Sequence, residues 1–316
     1  MTSVTAPAAA RPPGHAAAGR SPSRLVWDRV RRDRTAMTGL VIIAVFVLVA
    51  VTAPLLTALN GWSPYEFDAS AVDQRLAGVP KGALGGVGAE HWLGVEPVSG
   101  RDVFSRIVYG ARISLLISVL ATVVSVLIGT VLGLLAGYLG GWADAAVSRL
   151  MDLLMSFPAL IFMIALISVM PEGDRVLLLV AVMGGFGWPY VGRIVRGQAM
   201  AVRHREYVDA ARVGGAMGAS ILFREMLPNI TAPILVYATL AIPANIGTEA
   251  ALSFLGVGVR PPTASWGQMI QESMMWYEVD PMYFIVPGAC LFLTVLAFTL
   301  LGDSLRDAID PKGGRA

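Results

Sequence analysis

The stretch EYVDAARVGG, residues 206–215, lies in the middle of a polar segment, residues 193–228, that separates two long apolar runs. No residue over 193–212 breaks a helix, and the glycine pair that follows permits a reversal because glycine adopts positive φ freely. A second short helix is expected over residues 219–226, ending at Pro228 because proline cannot continue a helix. The spacing therefore predicts a helical hairpin.

The composition is that of a membrane protein. Of 316 residues, 55% are hydrophobic and 15% are charged, and the mean hydropathy is +0.66; about a quarter of the residues are charged in a soluble domain. The single cysteine, Cys290, lies inside an apolar run, which excludes a disulfide framework or a thiolate metal site. The three histidines are scattered without the spacing of metal ligands, so no metal site is predicted.

Six uncharged apolar runs are each long enough to cross a bilayer, the shorter ones only just. They span residues 37–59, 113–136, 153–171, 176–192, 226–248 and 281–302. A secretory signal peptide is the rival interpretation of the first run, but its apolar core would be shorter and Pro54 sits badly at a cleavage site. We interpret the first run as an uncleaved transmembrane helix.

The remaining segments complete the predicted domain organisation. Residues 1–36 form a basic tail whose first twenty or so residues are expected to be disordered, and its amphipathic end, 25–34, is expected to lie on the lipid surface. The predicted outer loops are residues 60–109 and, within a core domain spanning 110–302, residues 249–280; residues 303–316 form a second tail. With the N terminus inside, 17 of the 24 lysines and arginines are cytoplasmic, which predicts that both termini and the polar segment are inside.

A row of glycines marks one face of the second predicted span. Gly129, Gly133 and Gly137 stand four residues apart, so another helix can approach that face closely. We expect this face to contribute to assembly with a second subunit.

The residues that the predicted spans lack exclude several functions. No predicted span contains a charged residue or a histidine in its interior, which argues against a proton relay and against an intramembrane hydrolase. A sodium-coupled carrier stays open because carbonyl groups of broken helices can bind sodium. Lys81 and Lys312 both follow proline, so neither fits the Gly-Lys-Ser/Thr loop that binds nucleotide phosphates. We expect that the chain alone hydrolyses no ATP and that any uphill transport is driven by a partner.

Asp209-Ala210-Ala211, Gly215 and Leu227-Pro228 resemble the E-A-A-x-x-x-G…L-P loop of permease subunits of bacterial ABC importers. This chain has aspartate in place of the glutamate, which keeps the charge, and Glu225 where that pattern often has an aliphatic residue. Further stretches resemble the C-type permease of dipeptide and oligopeptide importers, and nickel importers share nearly all of them. They are residues 100–106, 109–114, 137–142, 156–158 and 249–256, together with Asp152, Pro261-Pro262 and 265–267.

The resemblance implies a type I importer permease fold, all-α with six transmembrane helices, in the bacterial cytoplasmic membrane. It implies a non-catalytic subunit that pairs with a second homologous permease, two cytoplasmic ATPases that bind ATP and Mg, and an external substrate-binding protein. No cofactor in this chain and no nucleic acid partner are expected. We call residues 206–228 the coupling loop, because the resemblance implies that it docks on an ATPase. The residues carried over for that role are Glu206, Tyr207, Asp209, Ala210, Ala211, Gly215, Leu227 and Pro228.

Two questions stay open at the level of the sequence. Peptides and nickel are both candidate cargoes, and no residue is assigned to cargo binding. A sodium-coupled carrier and a membrane scaffold without transport activity are the alternatives from other classes. Copurification of ATPases separates the importer from the carrier, and loss of uptake on deletion dismisses the scaffold.

Overall fold

The computed structural model describes residues 22–171 and 173–309. The first twenty residues, for which disorder is expected, lie outside this part of the chain. The last residues of the C-terminal tail also lie outside it. Almost all of the regular structure described is helical. The helices are α1 (Pro22–Arg32), α2 (Arg34–Val51), α3 (Ala53–Asn60), α4 (Val103–Leu139), α5 (Gly141–Met155), α6 (Ala159–Val169), α7 (Arg175–Val202), α8 (Glu206–Val213), α9 (Gly218–Ser220), α10 (Leu227–Phe254), α11 (Trp266–Ser273) and α12 (Pro281–Ile309).

Within the described residues, five helices are long and apolar enough to cross a membrane: α2, α4, α7, the continuous helix Gly218–Phe254 that contains α10, and α12. The pair α5 and α6 qualifies as a sixth crossing, bent by 87° at the break between them. Pro158 lies in that break and cannot continue a helix. The predicted all-α membrane fold with six spans is confirmed, with the third span broken.

Several helices continue well past the apolar runs. The side chain of Asp102 accepts a hydrogen bond from the Ser105 backbone N–H at 2.7 Å and caps α4, which therefore begins at Val103 rather than near 113. Helix α7 extends to Val202, so the first part of the polar segment belongs to it. The single helix expected up to residue 212 is wrong, because the chain turns at residues 203–205 before α8 begins.

Helices α4 and α7 run parallel and share the most extensive contact among the described helices. A Cβ built on Gly133 would lie 2.6 Å from the backbone oxygen of Gly192, and one on Gly137 would lie 2.6 Å from the Cβ of Ala199. A Cβ built on Gly129 would likewise lie 2.6 Å from the Cβ of Val191. The glycine face does admit a close helix, as predicted. Its partner is α7 of the same chain, so the expectation that this face serves a second subunit is wrong.

Residues 61–102 fold into a small substructure against the start of α4. Strands β1 (Val72–Asp73) and β2 (Val79–Pro80) pair antiparallel within it. The Asp102 carboxylate joins its parts, because it also accepts from the Asn60 amide at 2.9 Å and contacts His91 Nδ1 at 2.9 Å. The predicted 60–109 outer loop therefore has an ordered core of its own.

The first and last transmembrane helices pack together at the edge of the bundle. A Cβ on Gly39 of α2 would lie 2.6 Å from the backbone oxygen of Ala297 in α12. Helix α1 crosses the end of α12, where Arg29 donates to the Ala308 carbonyl at 2.8 Å and Val30 is buried. Trp27 on α1 is half exposed, which suits a helix lying at a lipid surface.

We predict that Gly133→Ala destabilises the folded chain by about 1–3 kcal/mol, because its methyl group has no space against Gly192 and overpacking costs that much. The matched control is Gly197→Ala on α7, where nothing lies within 4 Å of the added Cβ. Thermal unfolding in detergent, followed by size-exclusion profile, measures both. Equal melting temperatures for the two variants would contradict the assignment of α4 and α7 as the closest pair.

Candidate functional site

The inner face of the coupling loop is fixed to the bundle. Val208 of α8 has no exposed surface and packs in one apolar cluster with Ile221, Met226 and Ile230, together with residues of α4 and α7. Burying a side chain of this size contributes about 1.5–3 kcal/mol. The loop is therefore a packed part of the fold rather than a free connection.

Gly215 ends α8 in a left-handed conformation with φ +79°. Its N–H bonds to the Arg212 carbonyl at 3.1 Å, and the Ala216 N–H bonds to the Ala211 carbonyl at 3.0 Å. This pair of bonds is the Schellman motif, which satisfies the last carbonyls of a helix and favours glycine at this position. Among the described residues, no atom other than those of its chain neighbours lies within 4 Å of a Cβ built on Gly215. The special φ expected from the sequence is present, whereas no described backbone segment approaches closely.

The outer face of the loop carries most of the residues predicted for coupling. Ala210 and Gly215 are exposed, and Ala211 is half-buried behind them. Two apolar side chains extend the same turn into solvent: Val213 is 90% exposed and Met217 is 78% exposed. Small residues flanked by exposed apolar ones form a surface on which a second protein can pack closely.

A groove brings the two ends of the coupling loop together. Its volume is about 670 Å³, and Glu206 and Tyr207 from the start of α8 line it beside Asn229, the neighbour of Pro228. Leu227 is half-buried and Pro228 is exposed at this edge. Ala211 and Leu227 also pack against the inner apolar cluster, whereas Glu206, Tyr207, Asp209, Ala210, Gly215 and Pro228 are exposed. The role of these residues in docking stays a prediction.

Pro228 does not end a helix, contrary to the sequence-based expectation. Residues Ile221–Met226 form a π-helical turn, in which the Leu227 N–H bonds to the Leu222 carbonyl five residues earlier. The wide turn relieves the clash that a proline ring makes in a regular helix. The chain therefore continues from Gly218 into α10 as one helix, Gly218–Phe254.

Charged contacts at this end of the bundle hold α5 beside α7. The Arg196 guanidinium makes a two-bonded contact with the half-buried Asp144 carboxylate, one bond of 2.8 Å. Arg193 contacts Asp152 at 2.7 Å, but both side chains are more than half exposed, so this pair adds little stability. Asp209 contacts Arg212 at 2.9 Å in a similarly exposed pair.

A buried ion network, which was not predicted from the sequence, lies at the opposite end of the bundle. Glu96 contacts both Arg101, at 2.6 Å, and Arg106, which has no exposed surface. Glu272 lies 3.5 Å from each arginine, and the Tyr283 hydroxyl lies 3.1 Å from both carboxylates. The network joins the 61–102 substructure to α4, α11 and α12. Buried ion pairs of this kind specify geometry more than they add stability.

A carboxyl group lies inside α10, in contrast to the expectation that helix interiors lack one. Glu249 was predicted to begin an outer loop, but it is completely buried in the last turns of the helix. The Ser114 hydroxyl of α4 donates to it at 2.9 Å and the Ser253 hydroxyl at 2.8 Å.

Beside the ion network, burial raises the pKa of Asp280, which immediately precedes α12. Polar side chains thus join the connections at this end of the bundle.

The chain matches known proteins over most of its length. A family model for "binding-protein-dependent transport system inner membrane component" matches residues 129–314, and one for the "N-terminal TM domain of oligopeptide transport permease C" matches residues 21–78. The chain is 37% identical over 293 residues to the dipeptide transport system permease protein DppC of Alkalihalophilus pseudofirmus, covering 92% of this chain and 90% of that protein. It is 38% identical over 294 residues to the glutathione transport system permease protein GsiD of Shigella flexneri, covering 93% and 91%.

The helical bundle and its family matches define a membrane permease. The chain belongs to the binding-protein-dependent transport system inner membrane components, the permease subunits of bacterial ABC importers. It is a non-catalytic subunit located in the inner membrane. This membership sets aside the sodium-coupled carrier and the scaffold.

We predict that Gly215→Leu uncouples ATP hydrolysis from transport in the assembled complex. A leucine at φ +79° is strained by about 1–2 kcal/mol, so the Schellman motif opens and the outer face of the loop moves. Gly215→Asn is the matched control, because asparagine tolerates this φ. Transport and ATPase rates per complex measure both variants. Retained coupling in Gly215→Leu would contradict the prediction, and equal loss in both variants would assign the glycine to steric fit instead.

Proposed function

We propose that this permease imports di- and oligopeptides, forming half of the translocation pathway and receiving the ATPase motion through residues 206–228. A second homologous permease supplies the other half. Two cytoplasmic ATPases bind ATP and Mg, and an external binding protein delivers the cargo. The alternative cargo from the sequence is nickel.

The geometry of the coupling loop carries this proposal. Its outer face presents Ala210, Gly215 and exposed apolar side chains, while Val208 fixes its inner face in the bundle. Such a loop moves as one body with the helices beneath it when a partner pushes on it. Because the chain continues from the loop into α10 without a break, a displacement at the loop reaches the transmembrane region directly. Coupling requires a connection of this kind between the two sites.

The two proposed docking regions lie at opposite ends of α10. The coupling loop ends at Pro228 in the first turn of α10, and the 255–280 connection follows its last residue. At that far end, the Arg106 guanidinium donates to the Pro262 carbonyl at 3.2 Å, and Arg101 contacts Glu272, so the 61–102 substructure and the 255–280 connection form one surface. A helix of 28 residues is about 42 Å long, enough to separate the two surfaces by a bilayer. The charge bias of the sequence supports the coupling loop as the cytoplasmic one.

The relatives favour peptides as the cargo. The names of the matched permeases specify dipeptide and glutathione, and glutathione is itself a small peptide. These relatives cover nine-tenths of the chain, including the bundle through which cargo passes. Nickel is accordingly the less favoured cargo.

Uptake in a deletion strain tests the cargo. Strains lacking this permease are given labelled dipeptides, longer peptides, glutathione or nickel, with the restored gene as the control. We expect the peptides to lose accumulation on deletion and to regain it on restoration, and nickel accumulation to stay unchanged. Loss of nickel uptake alone would overturn the peptide assignment.

Paired cysteine substitutions test the two docking surfaces in a Cys290→Ser background. Met275→Cys, at a side chain that is 87% exposed within the 255–280 connection, is expected to crosslink to the binding protein from outside. Met217→Cys on the coupling loop is expected to crosslink to an ATPase and to be protected from external reagents. Thr263 is a second outer position. Gly78, in the predicted 60–109 outer loop, is unsuitable because a Cβ there would lie 2.7 Å from the Val98 Cα. Swapped crosslinking partners would overturn the orientation.

A further inference from the structure

A cavity opens in the middle of the helical bundle. Its volume is about 320 Å³, and α4, α6, α7 and α10 contribute side chains to it. Tyr190 lies near the middle of α7, and Tyr237 and Asn245 bracket the middle of α10. The cavity therefore lies at the depth where cargo crosses the bilayer, far from both docking surfaces.

Every residue that lines the cavity is uncharged. Phe186, Tyr190 and Tyr237 supply aromatic surface, Met163 a flexible thioether, and Asn245 and Thr248 hydrogen-bonding groups. Methionine adapts to ligands of different shape, and tyrosine combines an apolar ring with a hydroxyl that can form a hydrogen bond. Uncharged groups of this kind can bind the peptide bonds of a cargo peptide without selecting the charge of the cargo's side chains.

The exposure of Tyr190 indicates what faces the cavity. Its side chain is 49% exposed although it lies near the middle of a membrane helix. Polar side chains at this depth face a water-filled path or another helix rather than lipid. The open side of the cavity is therefore directed toward the pathway or the second permease.

Asn245 is held with hydrogen-bonding capacity to spare. The Thr122 hydroxyl donates to the Ser118 carbonyl at 2.8 Å, so its oxygen must accept from the Asn245 amide nitrogen, also at 2.8 Å. This chain of contacts fixes which end of the amide faces α4. Within the described part of the chain it leaves the amide oxygen and one N–H for a ligand, which matches the carbonyl and N–H groups of a peptide bond.

We propose that this cavity is the chain's half of the cargo site, in which Tyr190, Tyr237 and Asn245 hydrogen-bond the peptide backbone whatever the charge of its side chains. The inference rests on the proposed peptide import and extends it to named residues. A volume at the low end of small-molecule pockets, about 300–1,000 Å³, suits one half of a site shared by two subunits.

The site is connected to the coupling loop. Leu227 and Asn245 lie on α10, about 27 Å apart at the helical rise per residue. Pro243, two residues before Asn245, removes a backbone hydrogen bond and weakens the helix there. Movement of the loop therefore changes the position of Asn245 relative to α7, so the cargo contacts differ between the two states of the transporter.

Charge substitutions in the reconstituted complex test the site. Liposomes holding both permeases and both ATPases, with the binding protein added, are given dipeptides of net charge −1, 0 and +1. The wild-type complex is expected to transport all three with ATP. Asn245→Asp is expected to lower uptake of the anionic peptide relative to the cationic one by about tenfold, the factor that 1.4 kcal/mol of repulsion produces. Asn245→Lys is expected to reverse that order.

Thr130→Val is the control, since Thr130 lies on α4 but does not line the cavity. Its ratio of anionic to cationic uptake is expected to equal that of the wild type. A ratio unchanged in both Asn245 variants would overturn the cavity proposal, because a merely structural role slows all three peptides equally. Absence of any peptide uptake by the wild-type complex would instead refute the proposed cargo.

A double variant decides the question if the charged variants do not assemble. It combines Tyr190→Phe and Tyr237→Phe, which remove only hydroxyl groups. We expect the KM for peptide uptake to rise several-fold while ATP hydrolysis stimulated by the loaded binding protein is retained. An unchanged KM would overturn the assignment of these hydroxyls.

Discussion

The contact between α4 and α7 is the interaction on which the rest of the bundle depends. Glycines at 129, 133 and 137 let the two backbones touch, and α7 fills the whole face. Lipid tails are as apolar as the side chains they solvate, so close packing rather than the hydrophobic effect holds such helices together. With this pair fixed, α6 and α10 pack beside it, and the cavity forms among the four helices.

The same rigidity explains how one loop can control a site deep in the membrane. Val208 and Met226 bind the coupling loop to the ends of α4, α7 and α10 in a single apolar cluster. Positions that interrupt regular helical hydrogen bonding lie elsewhere, at the break before α6 and at the prolines within α7 and α10. The bundle thus combines stiff helix pairs with a few points of bending, as expected when a push at one end must change the shape of a path.

Much of the fold could be predicted from the sequence, but less of the detail. Apolar runs are long-range signals, so the six crossings were found, and the φ of Gly215 followed from its place after a helix. The glycine row predicted that a helix packs closely there but not which helix, because small residues permit close approach without specifying the partner. The helix that was predicted to end at Pro228 continues, because the neighbouring π-helical turn accommodates the proline ring. Arg106 and Glu272 meet only in three dimensions, and Tyr190 and Asn245 look ordinary within apolar runs.

The parallel arrangement of α4 and α7 has a consequence for biogenesis. Adjacent membrane helices usually pair as antiparallel hairpins as soon as the second one emerges from the ribosome. Here the bent pair α5 and α6 must be synthesised first, so the glycine face of α4 stays without its partner until Val202 has been made. The buried Arg101 and Arg106 already have Glu96 but gain their second carboxylate, Glu272, only after α10 has been made. A chain interrupted before α7 therefore leaves the glycine face of α4 without its packing partner and the arginine network without Glu272.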